Sequence, residues 1–363
     1  INENGGYYVR TNSTGFRSDI EFNKEKNGKP RILFFGDSNT AADGVSNNER
    51  FSDLVGKYFD VNVYNYGLSG SGTDQQYLIW KKYAQDVKAD LIVLGILVEN
   101  IERNKVAYRE SINPHTKEQS LIPKPYFDYK NNQLILKNFP VPRIKKKISE
   151  MNQDMIQRSV PRGQELVYNL VRLWRKNKIL KPLRENFDYP LKILRSSLIK
   201  MFYQPYPDYG KNDSKGYILM QKILTKFTES LNPIPVIILP IPTYHYYADG
   251  AKPIYKNFFE NFNNHNKNLF VLDLLKDLKK LDFVKRQSLC FKQDKSHFSR
   301  SKEISKEIEK IEKSQKLLKD EIESMISALP NLALEDVPVG KDENFNKEIN
   351  KIGEIVKFDF EPL

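Results

Sequence analysis

Arg31-Ile32-Leu33-Phe34-Phe35-Gly36-Asp37-Ser38-Asn39-Thr40 runs four large apolar residues straight into Gly-Asp-Ser. A short apolar run of this kind predicts a strand buried on both faces. The Gly-Asp-Ser-Asn after it is turn chemistry, and Ser and Asn are good N-caps for a helix beginning there. Two roles compete for Ser38: cap of that helix, or nucleophile held up by the turn. The rest of the chain decides between them.

The same alternation recurs on either side. Phe51 to Phe59 predicts a helix, VNVYNYG (61–67) a strand, Gln75 to Val87 a helix, and LIVLGIL (91–97) a strand. Far downstream come the strands PVIILPI (235–241) and LFVLDL (269–274). Strands alternating with helices at this spacing predict an α/β fold, a parallel sheet covered by helices on both faces. Residues 1–30 are a polar lead-in containing Asn12-Ser13-Thr14-Gly15-Phe16-Arg17. Residues 105–230 interrupt the sheet and are expected to form a mainly helical insert, a lobe or cap beside the cleft. Within it, PYFDYKNNQLILKNFPVP (125–142) predicts a hairpin turning at Asn131-Asn132. Residues 164–203 read as a basic amphipathic helix, suited to a solvated face on the domain or to a membrane surface.

Composition bounds the partners. The chain has 363 residues, 39% hydrophobic and 29% charged, with a formal net charge of +12. That charge suits an anionic polymer, though a Lys/Asn-rich genome would produce it with no such partner. Cys290 is the single cysteine, so an intrachain disulfide framework is excluded. No run of about 20 apolar residues is present. The chain begins at Ile1 without methionine, so a leader or membrane anchor upstream is compatible with it. No metal-ligand spacing and no Walker or Rossmann glycine pattern occurs, and no cofactor is expected.

In an open parallel sheet, ligands bind beyond the carboxyl ends of the strands. After the first strand comes Gly36-Asp37-Ser38, after the second Asn65 to Gly72, after the third Glu99-Asn100, and after the last Asp294-Lys295-Ser296-His297. A hydroxyl, glycine-rich backbone, a carboxamide and a carboxylate three residues before an imidazole are the parts of acyl transfer. Ser38 supplies the nucleophile. His297 can take its proton, because imidazole titrates near neutrality, and Asp294 can hold the imidazole tautomer. The backbone N–H groups of Ser38 and Gly70 and the Asn100 side chain can serve a developing oxyanion. As plainer alternatives, Asp294 and His297 could cap a following helix, and Gly67 and Gly72 compete with Gly70. His245, just after PVIILPI, could line the cleft, while His115 and His265 read as surface residues.

GDSNTAADG, NYGLSGSG, the Asn after LIVLGIL, and DKSH together resemble the four blocks of the SGNH (GDSL-type) hydrolases. The resemblance covers roughly 30–300 without the insert. It implies a flavodoxin-like three-layer fold and catalytic Ser38, Asp294 and His297, with an oxyanion hole from Ser38, Gly70 and Asn100. The third block departs from the family's Gly-x-Asn-Asp, reading Gly95-Ile96-Leu97-Val98-Glu99-Asn100-Ile101. NSTGFR and PYFDYKNNQLILKNFPVP further resemble a subgroup of bacterial surface-polysaccharide systems. That implies an O-acyl, notably O-acetyl, ester on a carbohydrate, cleaved or transferred at the cell envelope. An inactive glycan-binding protein on the same scaffold is the alternative, since a fold does not guarantee its chemistry.

After His297 the composition changes. Ile304, Ile308, Ile311, Leu318, Ile322 and Met325 recur at four-three spacing, with Gln315 at one seam position, which predicts a coiled-coil-like helix over the tail, 301–363. ALPNLALEDVPVGKDENFNKEINKIGEIVKFDFEP (328–362) resembles the second arm helix of seryl-tRNA synthetases and their linker to the catalytic domain. Pro330-Asn331, Val337 to Glu343, Asn346 and Phe358-Asp359-Phe360 carry that resemblance. The first arm helix is missing, so tRNA binding stays an alternative and no nucleic-acid partner is expected. The junction reads as a join between two unrelated genes.

Overall fold

The computed structural model describes residues 7–112, 119–143, 156–157, 204–248, 250–263 and 268–289. The chain divides into two compact units, 1–305 and 306–363, the second wholly outside the described residues. The expected tail helix and the basic 164–203 stretch therefore fall outside them as well.

Five strands form one parallel sheet: β1 (Arg31–Gly36), β2 (Asn62–Asn65), β3 (Leu91–Leu97), β9 (Val236–Ile241) and β10 (Leu269–Val271). Their spatial order is β10-β9-β3-β1-β2. Counted among these five alone, that is 2-1-3-4-5 read from the β2 edge, the flavodoxin-like order. β1 is buried on both sides, as its apolar run requires. Phe34 meets Phe51 of α2 (Phe51–Phe59) edge-on at 5.6 Å on one face. Phe35 meets Trp80 at 6.0 Å and Phe227 at 5.8 Å on the other. Helices on both faces of a parallel sheet make the architecture α/β.

The expected helix over Gln75–Val87 begins two residues earlier, at Thr73. It is α-helical to Ile79 (α3, Thr73–Ile79) and continues as one π-turn, Trp80–Ala84. Beside it packs the helix Lys215–Leu231, whose Leu219, Met220, Ile223, Leu224 and Phe227 are fully buried. These recur at i, i+1, i+4, i+5 and i+8, a single apolar stripe against the sheet. No helix among the described residues is long and apolar enough to cross a membrane.

The described part of the 105–230 segment is not helical throughout; strands stand beside the Lys215–Leu231 helix. β4 (Tyr108–Ile112) pairs antiparallel with β5 (Gln119–Pro123) and parallel with β8 (Ile156–Gln157). β6 (Tyr126–Lys130) and β7 (Gln133–Lys137) form the expected hairpin, with Asn131 and Asn132 at φ 49° and 62°. Two consecutive left-handed residues are what a two-residue hairpin loop of matching twist demands, and Asn tolerates them. Nor is it set apart. The Lys215–Leu231 helix belongs to the core, and Phe127 of β6 is buried 6.0 Å from the Tyr77 ring. Lys124 forms a 2.7 Å ion pair with Asp74, both side chains being nearly inaccessible. A lysine reads as surface in a sequence. Here an ammonium ion taken out of water has found a carboxylate across the join, which fastens the β-rich segment to α3.

Asn132→Val would force a β-branched residue into the left-handed backbone of the hairpin turn, at a cost of about 1–2 kcal/mol. Thermal unfolding should show a lowered midpoint for Asn132→Val and none for Asn132→Gly.

Candidate active site

The turn after β1 shows which residue caps the helix that follows. Asp37 is extended (φ −93°, ψ −152°), and its side chain accepts from the Asn39 N–H at 3.0 Å. The Ala41 N–H donates to the Asp37 carbonyl at 2.8 Å, closing the first turn of α1 (Ser38–Ala41). Asp37 is therefore the cap, and Ser38 is the first helical residue. Of the two roles open to Ser38, that of cap is taken by a carboxylate one residue earlier, which leaves the Ser38 hydroxyl outside the cap. The amide of a first helical residue has no acceptor within its own helix, which leaves the Ser38 N–H outside the α1 hydrogen-bond ladder.

The turn sits at the carboxyl end of β1, between β2 and β3. Strand order reverses here, and a crevice forms in sheets of this order. Glycines let α1 settle onto the strand ends. Gly36 and Gly95 are register partners on β1 and β3. A Cβ on Gly36 would lie 1.9 Å from Thr40 Oγ1, and one on Gly95 would lie 2.3 Å from the same atom. A Cβ on Gly67, after β2, would lie 2.4 Å from the Ala41 N. The shifted glycine of the third block thereby gains a role: Gly95 is half of the notch that receives Thr40.

Arginine side chains hold the surrounding loops. Arg103 closes α4 (Asn100–Arg103) and is nearly buried. Its Nη1 donates to Asp37 Oδ2 at 3.0 Å and to the Ser71 carbonyl at 3.3 Å, while its Nε donates to Glu99 Oε1 at 3.1 Å. Burial alone would lower the pKa of this guanidinium, but the Glu99 and Asp37 carboxylates outweigh burial and the net direction is upward. At the other end of α1, Arg17 of the lead-in donates to the carbonyls of Ala41, Ala42 and Val45 and to Asn47 Oδ1. The last carbonyls of a helix lack intrahelical donors, and Arg17 supplies them.

Gly70 adopts φ +71°, and a Cβ there would lie 2.1 Å from Arg109 Nη1. The positive φ favours glycine, whereas the Arg109 guanidinium is the free end of a flexible side chain and could move aside. Arg109 is exposed and donates to the Ser69 carbonyl at 3.0 Å. Asn100 is fully buried at the start of α4. Its Nδ2 donates to Thr73 Oγ1 at 3.4 Å, and its Oδ1 has no partner among the described residues. A bond of that length is at the edge of useful geometry and is cheaply exchanged for a better acceptor.

The loops carrying Ser38, Gly70 and Asn100 are thus tied together at one end of the sheet. Asp294 and His297 lie outside the described residues, as do His115 and His265. His245 falls in the short helix Tyr244–Tyr247 just after β9, at the same end of the sheet as Ser38. Among the described residues no cluster of His, Cys, Asp or Glu could hold a metal ion. Sequence reasoning passed over Arg17, Arg103 and Arg109. The usable signal was Glu99 four residues before Arg103, an i,i+4 pair on one helix face.

No family model matches the chain. Part of it is 38% identical over 109 residues to the serine–tRNA ligase of Pelagibacter ubique, covering 27% of this chain and 26% of that protein. Over 62 residues it is 44% identical to that of Wolbachia pipientis wMel and 48% to that of Fervidobacterium nodosum, covering 17% of this chain and 15% of each relative. The chain thus spans about a quarter or less of the length of these curated relatives. Matches of this partial extent fit the resemblance carried by residues 328–362. Among solved structures, a mutant of the esterase AlinE4 aligns over 84% of this chain and 100% of its own. An acetyl xylan esterase (Est2A) from Butyrivibrio proteoclasticus aligns over 70% of this chain and 58% of its own. Both have 10% identity and a TM-score of 0.31, which adds nothing to the sheet topology described above.

Gly95→Ala should overpack the notch and destabilise the fold by about 1–3 kcal/mol. Thr40→Ala should rescue it, since Thr40 Oγ1 is the only atom closer than 3.4 Å to that Cβ. The same second change should not rescue Gly36→Ala, whose Cβ would also meet Thr40 Cβ at 2.5 Å and the Gly95 carbonyl at 2.9 Å. Thermal unfolding of the four variants checks this.

Proposed function

We propose that residues 31–300 form a serine ester hydrolase of the SGNH type, acting on an O-acyl group, notably O-acetyl, carried by a carbohydrate. The observation that carries the reading is the knot of three loops at the switch point of the sheet. It joins a serine hydroxyl left outside the cap of a strand-to-helix turn, a glycine loop and a buried carboxamide. In this reading Ser38 Oγ attacks the ester carbonyl carbon while His297, steadied by Asp294, takes its proton. The N–H groups of Ser38 and Gly70 and the Asn100 amide receive the oxyanion. The carbon–oxygen bond to the alcohol then breaks, and His297 returns its proton to the departing alkoxide. Water repeats the sequence on the acyl-enzyme; a sugar hydroxyl in place of water would make the same residues an acyltransferase.

The exposed Arg109 guanidinium beside Gly70, with no carboxylate partner among the described residues, supports an anionic polymer as the substrate's backbone. Cell-envelope placement belongs to the same proposal. The partial likeness to serine–tRNA ligases supports a second reading for the tail alone, tRNA binding by residues beyond 300.

Wild type should hydrolyse p-nitrophenyl acetate, and Ser38→Ala should reduce kcat at least about 10³-fold, as loss of a triad nucleophile does. A His297 base acts only when neutral, so kcat/KM should rise with pH as the imidazole loses its proton and then level. Equal turnover by wild type and Ser38→Ala would sink the enzyme reading. Truncation after Ile326 should leave ester turnover unchanged. A tRNA gel shift given by the intact chain and lost on truncation would establish the second reading beside the first.

A further inference from the structure

We infer that Arg103 is a positioning residue for the Ser38 turn, a role that rests on the esterase reading. One buried guanidinium reaches the three loops that carry Ser38, Gly70 and Asn100. It sits three residues after Asn100 on the same short helix. Its Nη1 spans Asp37 Oδ2 (3.0 Å) and the carbonyl of Ser71 (3.3 Å), the residue next to Gly70. Asp37 in turn fixes where α1 begins, because its other carboxylate oxygen accepts the Asn39 N–H. Asp37 is fully buried and Arg103 nearly so. A change at Arg103 is therefore passed to the orientation of the Ser38 hydroxyl through two hydrogen bonds, and to the Gly70 loop through one.

The geometry needs arginine in particular. Two bonds leave one terminal nitrogen and a third leaves Nε toward Glu99 at 3.1 Å, a fan in the guanidinium plane. A lysine ammonium is a single donor centre on a flexible stem and cannot reproduce that fan. Arg103 touches no reacting atom in this scheme. Its effect is exerted through Asp37 and Ser71.

The test uses the full chain and p-nitrophenyl acetate, with Ser38→Ala as the control for the underlying reading. A displacement of order 1 Å at the reacting group can cost about 10²-fold, so Arg103→Lys should lower kcat by roughly that factor while KM changes little. Arg103→Met takes the guanidinium away from the buried Asp37 carboxylate and should lower the unfolding midpoint as well. In Arg103→Met/Asp37→Asn both charges are gone and the cap is kept, because an Asn oxygen still accepts the Asn39 N–H. The unfolding midpoint should then return toward that of wild type while kcat stays low. If kcat returns with stability, or if Arg103→Lys turns over like wild type, the positioning role is overturned and the esterase reading stands. If wild type and Ser38→Ala turn over alike, the esterase reading falls and takes this role with it.

Discussion

Everything at the candidate site rests on a steric notch. Gly36 and Gly95 face each other across β1 and β3, and Thr40 fills the space where their side chains would be. The Thr40 hydroxyl is buried there with no partner among the described residues. A buried hydroxyl without a partner costs about 1–3 kcal/mol. The protein tolerates that cost because the alternative, a side chain on either glycine, would lift α1 off the sheet. With the notch, the first residue of α1 stands at the point where strand order reverses.

A four-residue helix cannot hold itself together; helical stability at that length must come from its surroundings. α1 is clamped at both ends. Asp37 caps its start and is itself held by Arg103, and Arg17 takes up carbonyls at its end. Removing one partner of a buried ion pair costs about 3–5 kcal/mol, because the other charge is left stranded. Arg103 and Asp37 are such a pair, and so are Lys124 and Asp74 a short distance along α3. Buried charge thus fastens both the turn after β1 and the β-rich segment to the same body.

The lead-in gains a purpose from this arrangement. Asn12 turns the chain by accepting the Phe16 N–H, and Phe16 packs edge-on against Tyr66 at 4.9 Å. That seats Arg17 under α1. Arg50 then donates to the Arg17 carbonyl, and Asn47 accepts from the Arg17 Nε. Polar residues that look like solvent-facing linker in the sequence are interior struts, because backbone carbonyls at the end of a short buried helix must find donors somewhere.

The pattern of apolar runs alone determined the strands and their parallel arrangement. LIVLGIL and the helix over Phe51–Phe59 stand where the sequence places them, since a doubly covered strand must be apolar throughout. The hairpin at Asn131-Asn132 was equally legible, because few residues accept its backbone. The grouping of Ser38, Gly70 and Asn100 on strand-end loops followed from the same pattern. What only the tertiary structure decided were relations between residues distant in the chain. Asp37 rather than Ser38 became the cap, Gly95 became a partner of Gly36, and Arg103 joined three loops. Lys124 went inside, and residues 215–231 joined the core rather than the insert. Apart from the Glu99–Arg103 spacing and the Asp37 cap, these have no local signature. A charged or small residue reads the same on paper whether water or a neighbour 30 to 70 positions away surrounds it, and only packing in three dimensions selects which.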